Sequence, residues 1–251
     1  MGKERWSRVD DVDRLVELMK EADYIVVLTG AGVSTESGLP DFRSPTSGLW
    51  QDESLMELLS TETLTSDPKR FFERTLPLLE LLTEAQPNAA HRVLARWEER
   101  GLVKMLITQN IDSLHYEAGS RQLLEVHGQL RTASCSCGAL VSFSQLVAKV
   151  RKKEIPPRCA CGTALRPDVV LFGDPMPASF GQAIGEVERS DLLLVVGSSL
   201  QVAPVAYLPN MARAMAIINL TPTVADGEAK VVLRGRAGEI LSELDDRLTR
   251  G

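Results

Sequence analysis

The sequence predicts a doubly wound α/β fold, a mostly parallel sheet covered by helices on both faces. Three observations carry that reading. Short continuous runs of Val, Ile and Leu recur along the chain, as they do in strands buried on both faces of a parallel sheet. Stretches of helical periodicity separate those runs, which argues for strand–helix alternation. The first run leads straight into a glycine-rich loop, where a strand of such a sheet ends.

Taken in order, the expected strands are Tyr24–Thr29, Val103–Thr108, Leu123–Val126, Val169–Phe172, Leu192–Val196 and Ala214–Ile218. Before the first of them, Val12, Leu15, Val16, Leu18 and Met19 share one helical face, with Asp10 or Asp11 as caps. Asn88 is placed to cap a helix carrying Val93, Leu94 and Trp97, which Gly101 ends. Gly238 to Leu248 reads as a last amphipathic helix through Ile240, Leu241 and Leu244. Two segments break the alternation: residues 45–85 hold helical patterns without a strand, and residues 131–165 hold the cysteines and the basic run 149–153. Both read as insertions that build a smaller lobe over the mouth of the sheet. The main domain is then residues 1–44, 86–130 and 166–251.

Composition narrows the function classes. The chain has 251 residues, 44% hydrophobic and 25% charged, as in an ordinary globular protein. A net charge of -6 argues against non-specific nucleic-acid binding. The polar start Met1–Trp6 does not read as a secretory signal, and runs such as Leu192–Val196 are too short to span a bilayer. The expectation is a cytoplasmic protein with no membrane or direct nucleic-acid partner.

The loop after the first strand reads Gly30-Ala31-Gly32-Val33-Ser34-Thr35, continuing through Gly38-Leu39-Pro40-Asp41-Phe42-Arg43-Ser44. Glycines there let the backbone approach a ligand, and exposed N–H groups cradle a pyrophosphate. The usual dinucleotide fingerprint needs a third Gly or Ala at position 35, which is Thr35. That spacing does not suit an ordinary hydride-transferring dehydrogenase, and it points to chemistry on the dinucleotide itself. Further motifs follow: Thr108–Asp112 (TQNID), Val126–Gly128 (VHG), Arg166–Asp174 (RPDVVLFGD), Gly197–Pro204 (GSSLQVAP) and Ile217–Asn219 (IIN). With four paired cysteines among them, they stand in the order found in the sirtuins, NAD-dependent protein lysine deacylases. The resemblance spans roughly residues 10 to 245. It implies a Rossmann-like domain beside a small lobe made of a zinc module and a helical module.

Cys135 and Cys137 form one pair and Cys159 and Cys161 the other, with residues 138–158 between them and no further cysteine in the chain. In an acidic chain without a secretory signal, four thiolates read as a closed tetrahedral zinc site rather than as disulfides. Four ligands from protein make that zinc structural. Sirtuins space each pair with two intervening residues. Here there is one, so the backbone must bend sharply, and Gly138 and Gly162 allow it.

His127 follows the run Leu123–Val126, at the carboxyl edge where open α/β sheets collect ligands. A neutral imidazole there suits a general base acting on a ribose hydroxyl, and the resemblance makes His127 catalytic together with Asn110. His91 and His115 fall in helical patterns and read as structural. The resemblance also implies that Asn110, Ile111 and Asp112 line a nicotinamide pocket, with Asp112 accepting the carboxamide N–H, and that Gln109 holds the ribose. Gly30, Ala31, Gly32, Thr35, Asp41 and Arg43 surround the phosphates, while Phe42 covers the ribose C1′ face. Gly197, Ser198 and Ser199 meet phosphate or ribose hydroxyls, Asn219 the adenosine ribose and Ala237 the adenine. Two edges, Val170-Leu171-Phe172-Gly173 and Gln201-Val202, receive an extended acyl-lysine peptide by β-augmentation. Val170 and Phe172 wall the acyl tunnel.

The activity so implied is removal of acetyl or other neutral acyl groups from protein lysines, with NAD as co-substrate, nicotinamide as product and inhibitor, and O-acyl-ADP-ribose as the acyl carrier. Two alternatives remain open: transfer of ADP-ribose to a nucleophile, and a non-catalytic NAD sensor. Sirtuins that prefer acidic acyl chains carry Tyr-x-x-Arg in the helical module. The corresponding region, 71–82, has no Tyr and has Arg74 ahead of the expected pocket positions. Leu76, Leu78 and Leu79 are expected to form an apolar acyl wall there.

Overall fold

A computed structural model describes residues 8–41 and 53–250. Its centre is a six-stranded sheet in the order β3-β2-β1-β7-β8-β9. The strands are β1 (Ile25–Thr29), β2 (Val103–Thr108), β3 (Leu123–Glu125), β7 (Leu192–Val196), β8 (Met215–Asn219) and β9 (Val231–Arg234). Every pairing within it is parallel. A smaller antiparallel sheet, β5-β4-β6, is formed by β4 (Gly128–Ser134), β5 (Leu140–Ser142) and β6 (Arg166–Val169).

The central strands are apolar throughout because both of their faces are covered. Alternate residues of a strand point to opposite sides. Ile25 and Val27 of β1, with Leu192, Leu194 and Val196 of β7, pack into one core. Val26 and Leu28, with Leu193 and Val195, pack into the other. The first core is closed by α1 (Arg8–Glu21), α5 (Ala89–Glu99) and α9 (Ala237–Arg250), and the second by α8 (Ala178–Arg189) and the 3-10 turn Val205–Met211. A third core joins α4 (Pro68–Glu84) and α7 (Phe143–Arg151) to the small sheet. Two short helices, α2 (Glu53–Leu58) and α3 (Thr61–Ser66), precede α4, and α6 (Leu114–Ala118) follows β2.

The doubly wound sheet with a smaller lobe is the expected fold, with local corrections. Val169–Phe172 is not a strand of the parallel sheet. Only Val169 is in a strand, β6, which pairs antiparallel with β4. The residues after it cross to the helical segment, where Phe172 N–H donates to Leu59 C=O and Thr61 N–H to Phe172 C=O. Val169 and Leu171 are buried in the lobe core, whereas Phe172 is exposed toward the cleft. β9 was not expected. As the last strand of its sheet it is buried at alternate residues only, and so lacks the continuous apolar signature. Asp10 and Asp11 lie inside the first turn of α1 rather than capping it, where their charge complements the helix dipole. Asn88 does cap α5, accepting from Ala90 N–H at 2.8 Å.

Asp245 of α9 ties the helices of the first core together. It accepts from the indole N–H of buried Trp97 at 2.9 Å and pairs with Arg96 and Arg100. Burial alone raises an acid's pKa, but the bonds from Arg96 and Trp97 outweigh it and hold the Asp245 carboxyl below its ordinary value. Replacing Asp245 with Ala leaves the indole N–H without its acceptor, and should lower stability by about 1–3 kcal/mol in urea unfolding. An unchanged unfolding midpoint would contradict this role.

Candidate active site

The strand order reverses between β1 and β7, and ligands of open α/β sheets bind in the crevice outside that switch point. The two loops leaving these strands touch through their backbones. Gly30 N–H donates to Val196 C=O at 3.2 Å and Gly32 N–H to Gly197 C=O at 2.8 Å. A Cβ on Gly32 would sit 2.7 Å from the Gly197 carbonyl oxygen, and Gly197 itself has φ +61°. Only glycines permit this approach. The chain then enters the 3-10 turn Ala31–Ser37.

A cleft of about 670 Å³ opens above these loops and runs beneath the small lobe. It brings together Gly30, Ala31, Gly32, Asp41, Gln109, Asn110, Ile111 and His127 from the first half of the chain. From the second half come Val170, Leu171, Phe172, Gly173, Gly197, Ser198, Ser199, Gln201, Val202 and Asn219. Three residues expected at the site do not line it. Thr35 turns its hydroxyl back to Gly32 C=O at 3.0 Å, Asp112 is buried beneath the cleft, and Ala237 is buried at the start of α9. Phe42 and Arg43 lie outside the described residues. The apolar wall differs from expectation in one position: Leu78 and Leu79 line the cleft with Phe71 and Leu82, whereas Leu76 packs against the lobe core. Phe71, Leu78, Leu79 and Leu82 recur at the spacing of one helical face, and Arg74 is exposed.

The tautomer of His127 follows from its partner. Nδ1 lies 2.9 Å from Gln109 C=O, and a carbonyl only accepts, so Nδ1 carries the proton. Nε2 is left as the basic nitrogen. Burial lowers the pKa of the ring, and the Gln109 bond only partly opposes it. The ring is therefore neutral near pH 7.

Beneath the cleft, the Ser34 hydroxyl donates to Asp112 Oδ2 at 2.7 Å and accepts from Asn110 Nδ2 at 3.0 Å. Asn110 Oδ1 is buried without a hydrogen-bond partner among the described residues. Burial raises the pKa of Asp112, opposed by bonds from Leu114 N–H, Ser34 and Asn110. The next residue, Ser113, holds φ +66°, a costly conformation for a non-glycine. Arg131, paired with Glu125, donates to its hydroxyl at 2.9 Å. Ser34 was missed in the sequence, where a serine after a glycine loop carries no signal of its own. His91 and His115 are buried as structural residues are, but they pack directly under this network, with ring centroids 4.7 Å apart. An orphaned acceptor and a glycine cradle are what a bound NAD would complete, so the residues present fit that group.

The cysteines form a cage. All four sulfurs lie within 4.8 Å of one another, with Cys135 and Cys161 3.6 Å apart and Cys137 and Cys159 3.8 Å apart. Zn–S bonds of about 2.3 Å in a tetrahedron set S···S distances of about 3.8 Å. Two like turns answer the short spacing. Gly138 N–H donates to Cys135 C=O and Gly162 N–H to Cys159 C=O, both at 2.9 Å, with the glycines at φ +86° and +89°. Cys135 N–H then bonds Ala139 C=O, and Cys159 N–H bonds Thr163 C=O. Each turn folds its two sulfurs onto the same side, and the thiol set fits zinc.

A nucleotide-type cleft at the switch point of a parallel sheet, beside a four-thiolate cage, defines an α/β protein with a structural-metal module. The Sir2 family profile matches residues 30–204, and the chain belongs to that family. It is 51% identical to NAD-dependent protein deacetylase 2 of Caldanaerobacter subterraneus subsp. tengcongensis, over 92% of this chain and 93% of the relative. It is 40% identical to NAD-dependent protein deacylase 2 of Archaeoglobus fulgidus, over 96% and 97%. Among solved structures, a Sir2 with a deacetylated p53 peptide and 3'-O-acetyl-ADP-ribose superposes with a TM-score of 0.89 at 33% identity, covering 94% of this chain and 98% of that one. Sir2Tm bound to a propionylated peptide gives 0.86 at 31%, covering 96% and 99%.

Two outcomes follow. Protein purified without chelators should carry one zinc per chain, and stripping it should lower the melting temperature, since structural zinc adds folding free energy. Elemental analysis finding no zinc would refute the cage. Separately, burial and then the Arg92 charge push His91 down to about 3, and burial and His91 hold His115 well below 6.5. The unfolded chain takes up protons that the folded one refuses. Stability is therefore full above pH 6.5 and declines as pH falls toward about 3. A melting temperature that does not fall between pH 7.5 and 5.5 would contradict this.

Proposed function

We propose that this chain is an NAD-dependent protein lysine deacylase acting on acetyl and other neutral acyl groups, with nicotinamide and O-acyl-ADP-ribose as products. The observation that carries the reading is the fixed His127 tautomer, with Nε2 basic in a cleft between the glycine loops and the leucine wall. Bound NAD supplies the electrophilic ribose carbon and the hydroxyl that receives the acyl group. The loops at Gly30–Gly32 and Gly197–Ser199 would hold its phosphates together with Arg43, and Asn219 would take the adenosine end. Gln109 and the Asn110 Oδ1 acceptor orient the nicotinamide ribose. Asp112, beneath the cleft, would support the carboxamide site through Ser34 and Asn110, and Phe42 would exclude water from the open face. His127 Nε2 takes the proton from the ribose hydroxyl.

The peptide lies between Val170–Gly173 and Gln201–Val202. Phe172 has its backbone bonded to Leu59 and Thr61, so its side chain is what it offers to the acyl-lysine. Nicotinamide, re-entering the same pocket, inhibits. The net charge of -6, and the absence among the described residues of any helix long and apolar enough to cross a membrane, support a cytoplasmic setting.

Incubation with NAD and an acetyl-lysine peptide should yield O-acetyl-ADP-ribose by mass spectrometry. ADP-ribose on protein with no deacylated peptide would favour ADP-ribosyl transfer instead. His127→Ala should lower kcat by about 10²–10⁴-fold with NAD binding retained. Because the pKa of His127 is lowered, the acid limb of the wild-type kcat/KM profile should fall below pH 6.5; a limb above that value would argue against this base.

No cation lines the cleft among the described residues, so a buried succinyl carboxylate would stand unpaired at a cost of several kcal/mol. On one peptide, kcat/KM for acetyl-lysine should exceed that for succinyl-lysine by at least about 100-fold. A preference for succinyl would place a cation in the tunnel.

A further inference from the structure

We infer that His91 is a positioning residue for the nicotinamide pocket: through Ser34 it sets the direction of the hydrogen bond that holds Asp112 beneath Asn110. The inference rests on the deacylase reading and adds a residue that does not itself line the cleft.

A backbone group that can only donate fixes the His91 tautomer. Asn88 N–H lies 3.2 Å from His91 Nδ1, so Nδ1 is the acceptor and Nε2 carries the proton. Nε2 is 3.4 Å from the Ser34 oxygen, which therefore receives the imidazole N–H. With that approach occupied by a donor, the Ser34 proton has one acceptor within reach, Asp112 Oδ2 at 2.7 Å. Asp112 Oδ1 is already committed to Leu114 N–H at 2.9 Å. The remaining neighbour, Asn110, must then give its NH₂ to the Ser34 oxygen, at 3.0 Å. That choice leaves Asn110 Oδ1, and not its NH₂, as the unpartnered group.

Reversal of the first bond would break this arrangement. A His91 tautomer with bare Nε2 would compete with Asp112 for the Ser34 proton and so loosen the bond that holds the Asp112 carboxylate. Two features prevent it. Asn88 caps α5 and also donates through Nδ2 to Val33 C=O at 2.8 Å and Ser37 Oγ at 3.0 Å, so the helix start and the 3-10 turn move as one body. Burial keeps the ring neutral, and His115, whose ring packs against it, is neutral for the same reason.

The test compares His91→Gln, whose Nε2 keeps a donor near the imidazole position, with His91→Phe, which fills the space without one. Ser34→Ala removes the relay itself. Wild-type exchange of labelled nicotinamide into NAD on an acetyl-lysine peptide is measured first; its absence would count against the deacylase reading, not against the relay alone. Given exchange, His91→Phe and Ser34→Ala should each raise the nicotinamide concentration for half-maximal exchange and inhibition by about tenfold or more. His91→Gln should recover most of the loss. All three variants are compared at a temperature where circular dichroism shows them folded. A folded His91→Phe protein with wild-type nicotinamide dependence overturns the inference. So does a His91→Gln protein as impaired as His91→Phe, because then packing and not the donated bond is what matters.

Discussion

The contact of two backbones at the switch point governs the rest of the molecule. Gly32 and Gly197 leave adjacent strands and meet with a hydrogen bond of 2.8 Å, closer than any side chain allows. That approach sends the chain into the 3-10 turn, which buries Val33 in the first core and Ser34 beneath the cleft. From the second loop, Ser198 Oγ accepts from Gln109 Nε2 at 2.9 Å. The carbonyl of Gln109 in turn fixes the His127 ring. Loops after β1, β2, β3 and β7 are thus registered on one another by bonds that begin at a glycine pair.

The small lobe is attached by a second set of constraints. Asp174 accepts from Thr61 Oγ1 at 2.5 Å and from Leu171 N–H at 2.8 Å, and it pairs with Arg166. Burial alone would raise its pKa, but the bonds from Thr61 and Arg166 prevail and keep the carboxyl below its ordinary value. One carboxylate therefore holds the helical segment, the β6 strand and the substrate-facing loop together. The cysteine cage closes the far side of the same sheet, since Cys135 follows β4 directly and Cys159–Leu165 leads into β6. A metal in the cage would stiffen the two strands that present Val169–Gly173 to the cleft.

What could be read from the sequence depended on whether the signal was local. Leu192–Val196 was legible to the residue because a strand covered on both faces is apolar throughout, and Val103–Thr108 because Met105, Leu106 and Ile107 continue such a run past Lys104. The cysteine cage was legible because no other cysteines compete, although the turns that make a one-residue spacing workable were only hinted at by two glycines. β4 escaped notice because Gly128–Ser134 is polar on one side and short of branched residues. Val169–Phe172 was misassigned because an apolar run says that a segment is buried, not which sheet it joins. Least legible was the layer under the cleft. Ser34 and His91 are 57 residues apart, and Ser34 and Asp112 are 78 apart. No periodicity marks a hydrogen bond between a loop, a helix start and a strand end.

Closure of the two loops on the phosphates depends on the glycine contact. Gly32 does not have a positive φ, so Gly32→Ala introduces one methyl group and no backbone strain beyond the approach to Gly197 C=O at 2.7 Å. Titration calorimetry of NAD against the wild type and this variant, both zinc-loaded and folded by circular dichroism, isolates that approach. Kd for NAD should rise by about tenfold or more, because the two loops can no longer close on the phosphates. A Kd within twofold of wild type would contradict it.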